Sequence, residues 1–216
     1  MSRSATSPPS RTERRALARL LAERGPDAPT LCEGWLTRDL AVHLVVRERR
    51  PLAAPGILLG GPARRLLERA TTEVRQLPYD DLVALVESGP PAWLAPLDPR
   101  VNLAEFFVHH EDVRRAGPEA LPPRPAEETR ALDEALWGLL GVAGRLLVRR
   151  AGGLGIALRR PDGQQRVLRP GTPTVVLQGR PSELTLYLYG RQAVAQVEPT
   201  GEPEALARLA QVSFGL

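Results

Sequence analysis

The segment Glu105-Phe-Phe-Val-His109-His110-Glu-Asp112 places a carboxylate inside an apolar run, one helical turn before an imidazole. On a helix, residues four apart share a face, so Glu105 and His109 point the same way. Phe106 and Val113 lie beside them on the wheel, together with Asn102 and Asp112, and that side is expected to face inward. A lone carboxylate buried there costs several kcal/mol or must be protonated. The chain therefore has to fold so that a second element brings a positive partner to Glu105. The remaining histidine, in Asp39-Leu-Ala-Val-His43-Leu44, lies between Leu40 and Leu44 on another helical stripe. Two facing helices would then aim His43, Glu105 and His109 at one point, as metal sites in helical bundles are built.

Two imidazoles and one carboxylate make the ligand set of a three-coordinate zinc with an open fourth position, and also suit nickel or iron. Asp112, one turn past His109, is placed to accept an imidazole N–H as a supporting partner. Asp39 is expected either in that same supporting role or as an acidic charge at a helix N-terminus. His110 points about 100° away from His109 and is expected at the surface or rim. The alternative is bland: Glu and His four apart occur by chance, and a histidine on an apolar face is often a satisfied core residue. Cys32 is the only cysteine. It excludes an intrachain disulfide and a thiolate-rich zinc site. It is expected as a small buried residue, with Trp35 anchoring the loop that carries both.

The 216 residues include 43% hydrophobic side chains, enough for a real core. The basic residues are all arginine, scattered and interleaved with acids, with few aromatics for base stacking, so nucleic acid is not expected as a partner. Residues 1–11 are expected as a disordered tail without the apolar core of a signal peptide. No stretch reaches the roughly 18 apolar residues of a membrane span. A soluble, cytoplasmic protein is expected, as a monomer or homodimer. No P-loop, G-x-G-x-x-G or G-x-S-x-G motif is present.

Periodicity and Pro/Gly punctuation predict helices over 12–23, 38–50 with Thr37 as its N-cap, 63–75, 80–87, 101–116 and 126–150, the last about 37 Å long. Its expected stripe is Leu132, Leu136, Leu139, Ala143 and Leu146, with Ala135, Leu140 and Leu147 beside it. Pro/Gly-rich breaks fall at 53–62 and around Pro90, Pro91 and Pro96. After Gly152-Gly153 the texture changes. Pro161-Asp-Gly-Gln between two short apolar runs signals a hairpin. A strand over 174–178, a helix over 181–191, an edge strand near 195–198 and a helix over 202–212 complete a small α+β unit. The domains are thus expected at 12–151 and 152–216.

Two blocks carry a resemblance: Cys32-x-Gly34-Trp35-x-x-x-Asp39-x-x-x-His43 and, much later, Glu105-x-x-x-His109-x-x-Asp112. Their co-occurrence in this order resembles the N-terminal domain of the mycothiol-dependent maleylpyruvate isomerase family, within the wider DinB-like superfamily and nearest an actinobacterial metal-binding subgroup. The resemblance covers roughly residues 12–150. It implies a mainly α protein with a DinB-like four-helix bundle and a divalent ion, zinc first, on His43, Glu105 and His109. It also implies mycothiol as a thiol cosubstrate and an electrophilic small molecule as substrate, for isomerisation or S-transfer. The competing expectation is a non-catalytic metal-binding or sensing protein of the same fold.

Overall fold

The computed structural model describes residues 7–53, 56, 61–91 and 99–215. Most of the expected tail, most of the 53–62 break and the break at Pro96 lie outside these residues. The described part divides into two compact units, 1–122 and 123–216.

The first unit consists of helices α1 (Pro9–Arg24), α2 (Thr37–Arg49), α3 (Pro62–Arg75), α4 (Tyr79–Ser88) and α5 (Pro99–Arg114). α1 starts inside the expected tail because Pro9 occupies the first helical turn, where its fixed φ fits and its missing N–H is not needed. It stops at Gly25, whose φ of 74° a side chain would resist. Leu17, Leu21, Leu40, Leu44, Leu82 and Phe106 are fully buried where α1, α2, α4 and α5 meet. Arg14 joins the same four helices with charge. Its guanidinium bonds both oxygens of Glu48 and the Val86 carbonyl at 2.9 Å, and lies 4.1 Å from the centre of the Phe106 ring. A buried pair of this kind adds little net stability, but losing one partner would strand the other.

α5 is enclosed on more than one side. Leu103, Ala104, Phe107 and Val108 are buried as well as Phe106 and Val113. Its polar residues must therefore find partners inside the protein, and they do so in ways the wheel alone does not reveal.

The second unit contains α6 (Ala126–Leu147), strands β1 (Gly155–Arg159), β2 (Gln165–Arg169) and β3 (Thr174–Gln178), helix α7 (Pro181–Leu188), strand β4 (Glu198–Thr200) and helix α8 (Pro203–Leu209). The sheet order is β2-β1-β3-β4. The hairpin expected at Asp162-Gly163 joins antiparallel β1 and β2. β3 runs parallel to β1, with Ile156 opposite Val175 and Leu158 opposite Leu177. β4 is an edge strand, a few residues later than expected.

α6 departs from the sequence reading in two respects. It packs on α7 and β2 inside the second unit, whereas the sequence pattern assigns it to the bundle, with a boundary at 151/152. Its buried face keeps most of the expected residues, Leu132, Leu136, Leu139, Leu140 and Leu147, and adds Thr129, Asp133, Trp137 and Gly144, but the last of the stripe, Leu146, is 52% exposed. Gly144 lies on the buried face. A Cβ there would come within 2.7 Å of the Leu168 side chain on β2, so the glycine is where helix and sheet approach. The helix ends at Leu147, three residues early, leaving Arg149 and Arg150 beyond its last turn. No helix among the described residues is long and apolar enough to cross a membrane.

Candidate metal centre

His43, Glu105 and His109 meet. His43 Nε2 lies 3.1 Å from Glu105 Oε1, and His109 Nε2 lies 3.4 Å from the same oxygen. The two imidazole rings sit edge to face, 5.4 Å between centres. Helix geometry accounts for the 105/109 pair, because the two are one turn apart on α5. Only packing accounts for His43, which arrives from α2, 62 residues away in sequence. The three donor atoms lie within 4.8 Å of one another. A tetrahedral ion with bonds of about 2.1 Å would space its ligand atoms about 3.4 Å apart. The donor set and the two measured edges fit such an ion. The side chains are 17%, 21% and 12% exposed, so the cluster is sheltered yet reachable from solvent.

The supporting contacts run outward from these three. His109 Nδ1 is 2.9 Å from Asp112 Oδ2, and the Asp112 side chain is fully buried. Arg47 Nε reaches Glu105 Oε1 at 3.3 Å, and Arg47 Nη1 donates to Asn102 Oδ1 at 2.8 Å. Burial alone would raise the pKa of Glu105. The hydrogen bonds from His109 and His43, with the charges of His109 and Arg47, outweigh it and hold the carboxyl well below its ordinary range. Burial would likewise lower the pKa of His109, but Asp112, Cys32 and Glu105 overcome that and raise it well above the ordinary imidazole value. The metal-free cluster thus favours the protonated form of His109 between carboxylates, where a cation can replace the proton.

The loop between α1 and α2 contributes two residues expected from the sequence as packing. The Cys32 thiol, half-buried, donates to Asp112 Oδ2 at 3.2 Å and stands 3.9 Å from His109 Nδ1. Cys32, His109 and Asp112 therefore form a second group of possible ligands. Trp35 sets its indole 5.2 Å from the His43 ring. The available signal was the Cys-x-Gly-Trp block standing just before the helix that carries His43.

Other expectations resolve differently. Asp39 makes its hydrogen bonds away from the imidazoles. It accepts from the Leu36 N–H at 3.1 Å and pairs with Arg75. A first-turn carboxylate satisfies an otherwise orphaned helix N–H, so its N-terminal role replaces the supporting one. Thr37 is the first helical residue, not the cap, and its hydroxyl bonds the Gly25 carbonyl. His110 is buried, not at the rim, 3.0 Å from Glu13 on α1. Arg114 is held by both oxygens of Glu111 at 3.0 Å, whereas Arg47 touches the cluster.

No family model matches the sequence, and no curated protein matches it. Solved structures do. A crystal structure of the mycothiol-dependent maleylpyruvate isomerase superposes with a TM-score of 0.56 at 18% identity, over 90% of this chain and 91% of that one. A histidine-to-alanine mutant of that isomerase superposes with a TM-score of 0.58 at 16% identity, over the same shares. The chain has the isomerase fold. The likeness spans both units, beyond the first 150 residues on which the sequence resemblance rested. At this identity it speaks for architecture, and the chemistry has to be argued from the side chains.

Proposed function

We propose that the chain binds a divalent cation, zinc first and nickel or iron as alternatives, on His43, Glu105 and His109, within a DinB-like helical bundle. It uses the cation with a low-molecular-weight thiol, mycothiol by analogy with the isomerase, in isomerisation or S-transfer on an electrophilic small molecule. The observation that carries this reading is the convergence of two Nε2 atoms from different helices on one carboxylate oxygen, at 3.1 and 3.4 Å. Three protein ligands leave a fourth tetrahedral position for a small molecule.

When bound, the ion supplies positive charge that favours the ionised, nucleophilic form of a thiol at neutral pH. The protein's own residues do the rest. Asp112 holds the His109 ring by its Nδ1–H, which directs Nε2 into the cluster. Glu105 adds one negative charge, so two imidazoles and one carboxylate leave a net positive centre. Arg47, beside Glu105, keeps a permanent cation at the edge where an anionic substrate would be held. The buried apolar residues of α2 and α5 around the cluster limit water and strengthen each of these interactions.

Elemental analysis of the purified chain should find one divalent ion per molecule, and His43→Ala should abolish it while far-UV circular dichroism stays unchanged. Adding mycothiol to the cobalt-substituted protein should then shift the visible spectrum. A metal-free wild type sinks the reading. A cobalt spectrum unmoved by the thiol assigns the site to cation binding without thiol chemistry.

A further inference from the structure

The turn that carries Cys32 is built to hold its thiol in one place. Thr30 Oγ1 accepts from the Cys32 N–H at 3.2 Å and donates to the Trp35 carbonyl at 2.9 Å. The Trp35 N–H closes on the Cys32 carbonyl at 3.0 Å. Gly34 takes the left-handed φ of 74° that the tight turn requires. The Leu31 N–H then donates to the Asp112 carbonyl at 3.0 Å, pinning the turn to the end of α5. One short loop so delivers a thiol to the Asp112 side of His109 and an indole to the face of His43.

Asp112 Oδ2 receives both the Cys32 thiol at 3.2 Å and His109 Nδ1 at 2.9 Å. A buried carboxylate between an S–H and an N–H is in the state burial demands, with donors on it. When a cation takes the place of the Nε2 proton, His109 keeps its Nδ1–H on Asp112 and offers only the Nε2 lone pair, and Nε2 faces Glu105. The two ligand groups share this one imidazole through opposite nitrogens. A cation held by Cys32, His109 and Asp112 would have to displace the proton that orients the ring toward His43.

We propose that Cys32 is a positioning residue of the His43–Glu105–His109 centre, acting through Asp112 and not as a ligand. The inference rests on the cation reading given above, and its test separates the two. Cobalt(II) is titrated into the full chain and into Cys32→Ser, Cys32→Ala and Cys32→Val. Serine keeps a donor for Asp112, and alanine and valine do not. Loss of a partner supporting a metal-bound histidine weakens metal affinity by about 10–100-fold. C32A and C32V should fall in that range, and C32S should recover most of the loss. The wild-type cobalt adduct should show visible d–d bands without an intense near-ultraviolet sulfur-to-cobalt charge-transfer band. Circular dichroism verifies folding, and valine carries the comparison if the alanine variant unfolds. A charge-transfer band that C32S removes makes Cys32 a ligand and overturns the proposal. Equal affinity in all four proteins overturns it too. A wild type that binds no cobalt brings down the cation reading and this inference together, whereas normal wild-type uptake with unaffected variants removes only the role of Cys32.

Discussion

Asp112 in the helical unit and Asp133 in the second unit are both buried carboxylates on helices, 0% and 7% exposed, yet their partners differ in kind. Asp133 accepts from Thr129 Oγ1 at 2.8 Å and from the Ser182 N–H at 2.7 Å. It thereby caps α7 from α6, and Arg180 bonds the same threonine at 3.2 Å. Neither donor can take another form: a hydroxyl and a backbone amide carry no titratable proton near neutral pH. Asp112 accepts from an imidazole and a thiol, groups that gain or lose protons and bind metals. Burial and hydrogen bonding alone therefore do not distinguish a functional carboxylate from a structural one. The identity of the donors does.

The comparison breaks first at Asp133. Asp133→Ala removes a cap and strands the buried Ser182 N–H, and should cost about 1–3 kcal/mol in urea unfolding with no change in cobalt affinity per folded molecule. A drop in affinity would mean that the second unit serves the centre directly.

Asp112→Asn is the converse. An amide must turn its oxygen to both donors at once, and cobalt affinity should fall about 10–100-fold by titration. Unchanged affinity would remove Asp112 from the support of His109.

The pH dependence of the metal-free protein sharpens the contrast further. The lowered pKa of Glu105 contributes stability that is full above the ordinary carboxyl value of 4.5 and is lost as pH falls through the lower folded value. The raised pKa of His109 contributes stability that is full below the ordinary imidazole value of 6.5 and is lost as pH rises through the higher folded value. Denaturant midpoints should therefore plateau between about pH 4.5 and 6.5 and decline on both sides. Added zinc should reverse the alkaline decline, since the ion binds neutral imidazole. His109→Gln should abolish that decline.

The smallest effect belongs to Ser182. Its hydroxyl is buried without a hydrogen-bond partner among the described residues, so Ser182→Ala should be neutral or stabilising by up to about 1 kcal/mol in the same urea assay. A clear loss of stability would reveal a partner for that hydroxyl.

Much of this arrangement is legible in the amino-acid sequence. The spacing of Glu105 and His109 puts them on one helical face wherever the helix goes. The apolar run around Glu105 demands a partner, and His43 on a second stripe is the natural one. Asp162-Gly163 announces the β1–β2 hairpin for the same local reason. The place of α6 is not legible there, because its stripe of Leu132, Leu136 and Leu139 shows which face is buried but not which unit buries it. Contact with α7 and with Leu168 on β2 decides that. His110 escapes the helical wheel because a wheel assumes one wet face, and α5 has little of one.

The order of residues along the chain by itself determined the helices, the hairpin and the two acid–imidazole stripes, since each depends on residues within a turn or two and on backbone geometry that any environment shares. Tertiary structure alone decided that Asp39 caps its helix beside Arg75, that Cys32 reaches Asp112 across 80 residues, and that α6 lies with the sheet. Those outcomes depend on which surfaces pack together, and packing is a property of the whole chain, with many near-equal local patterns competing for the same contacts.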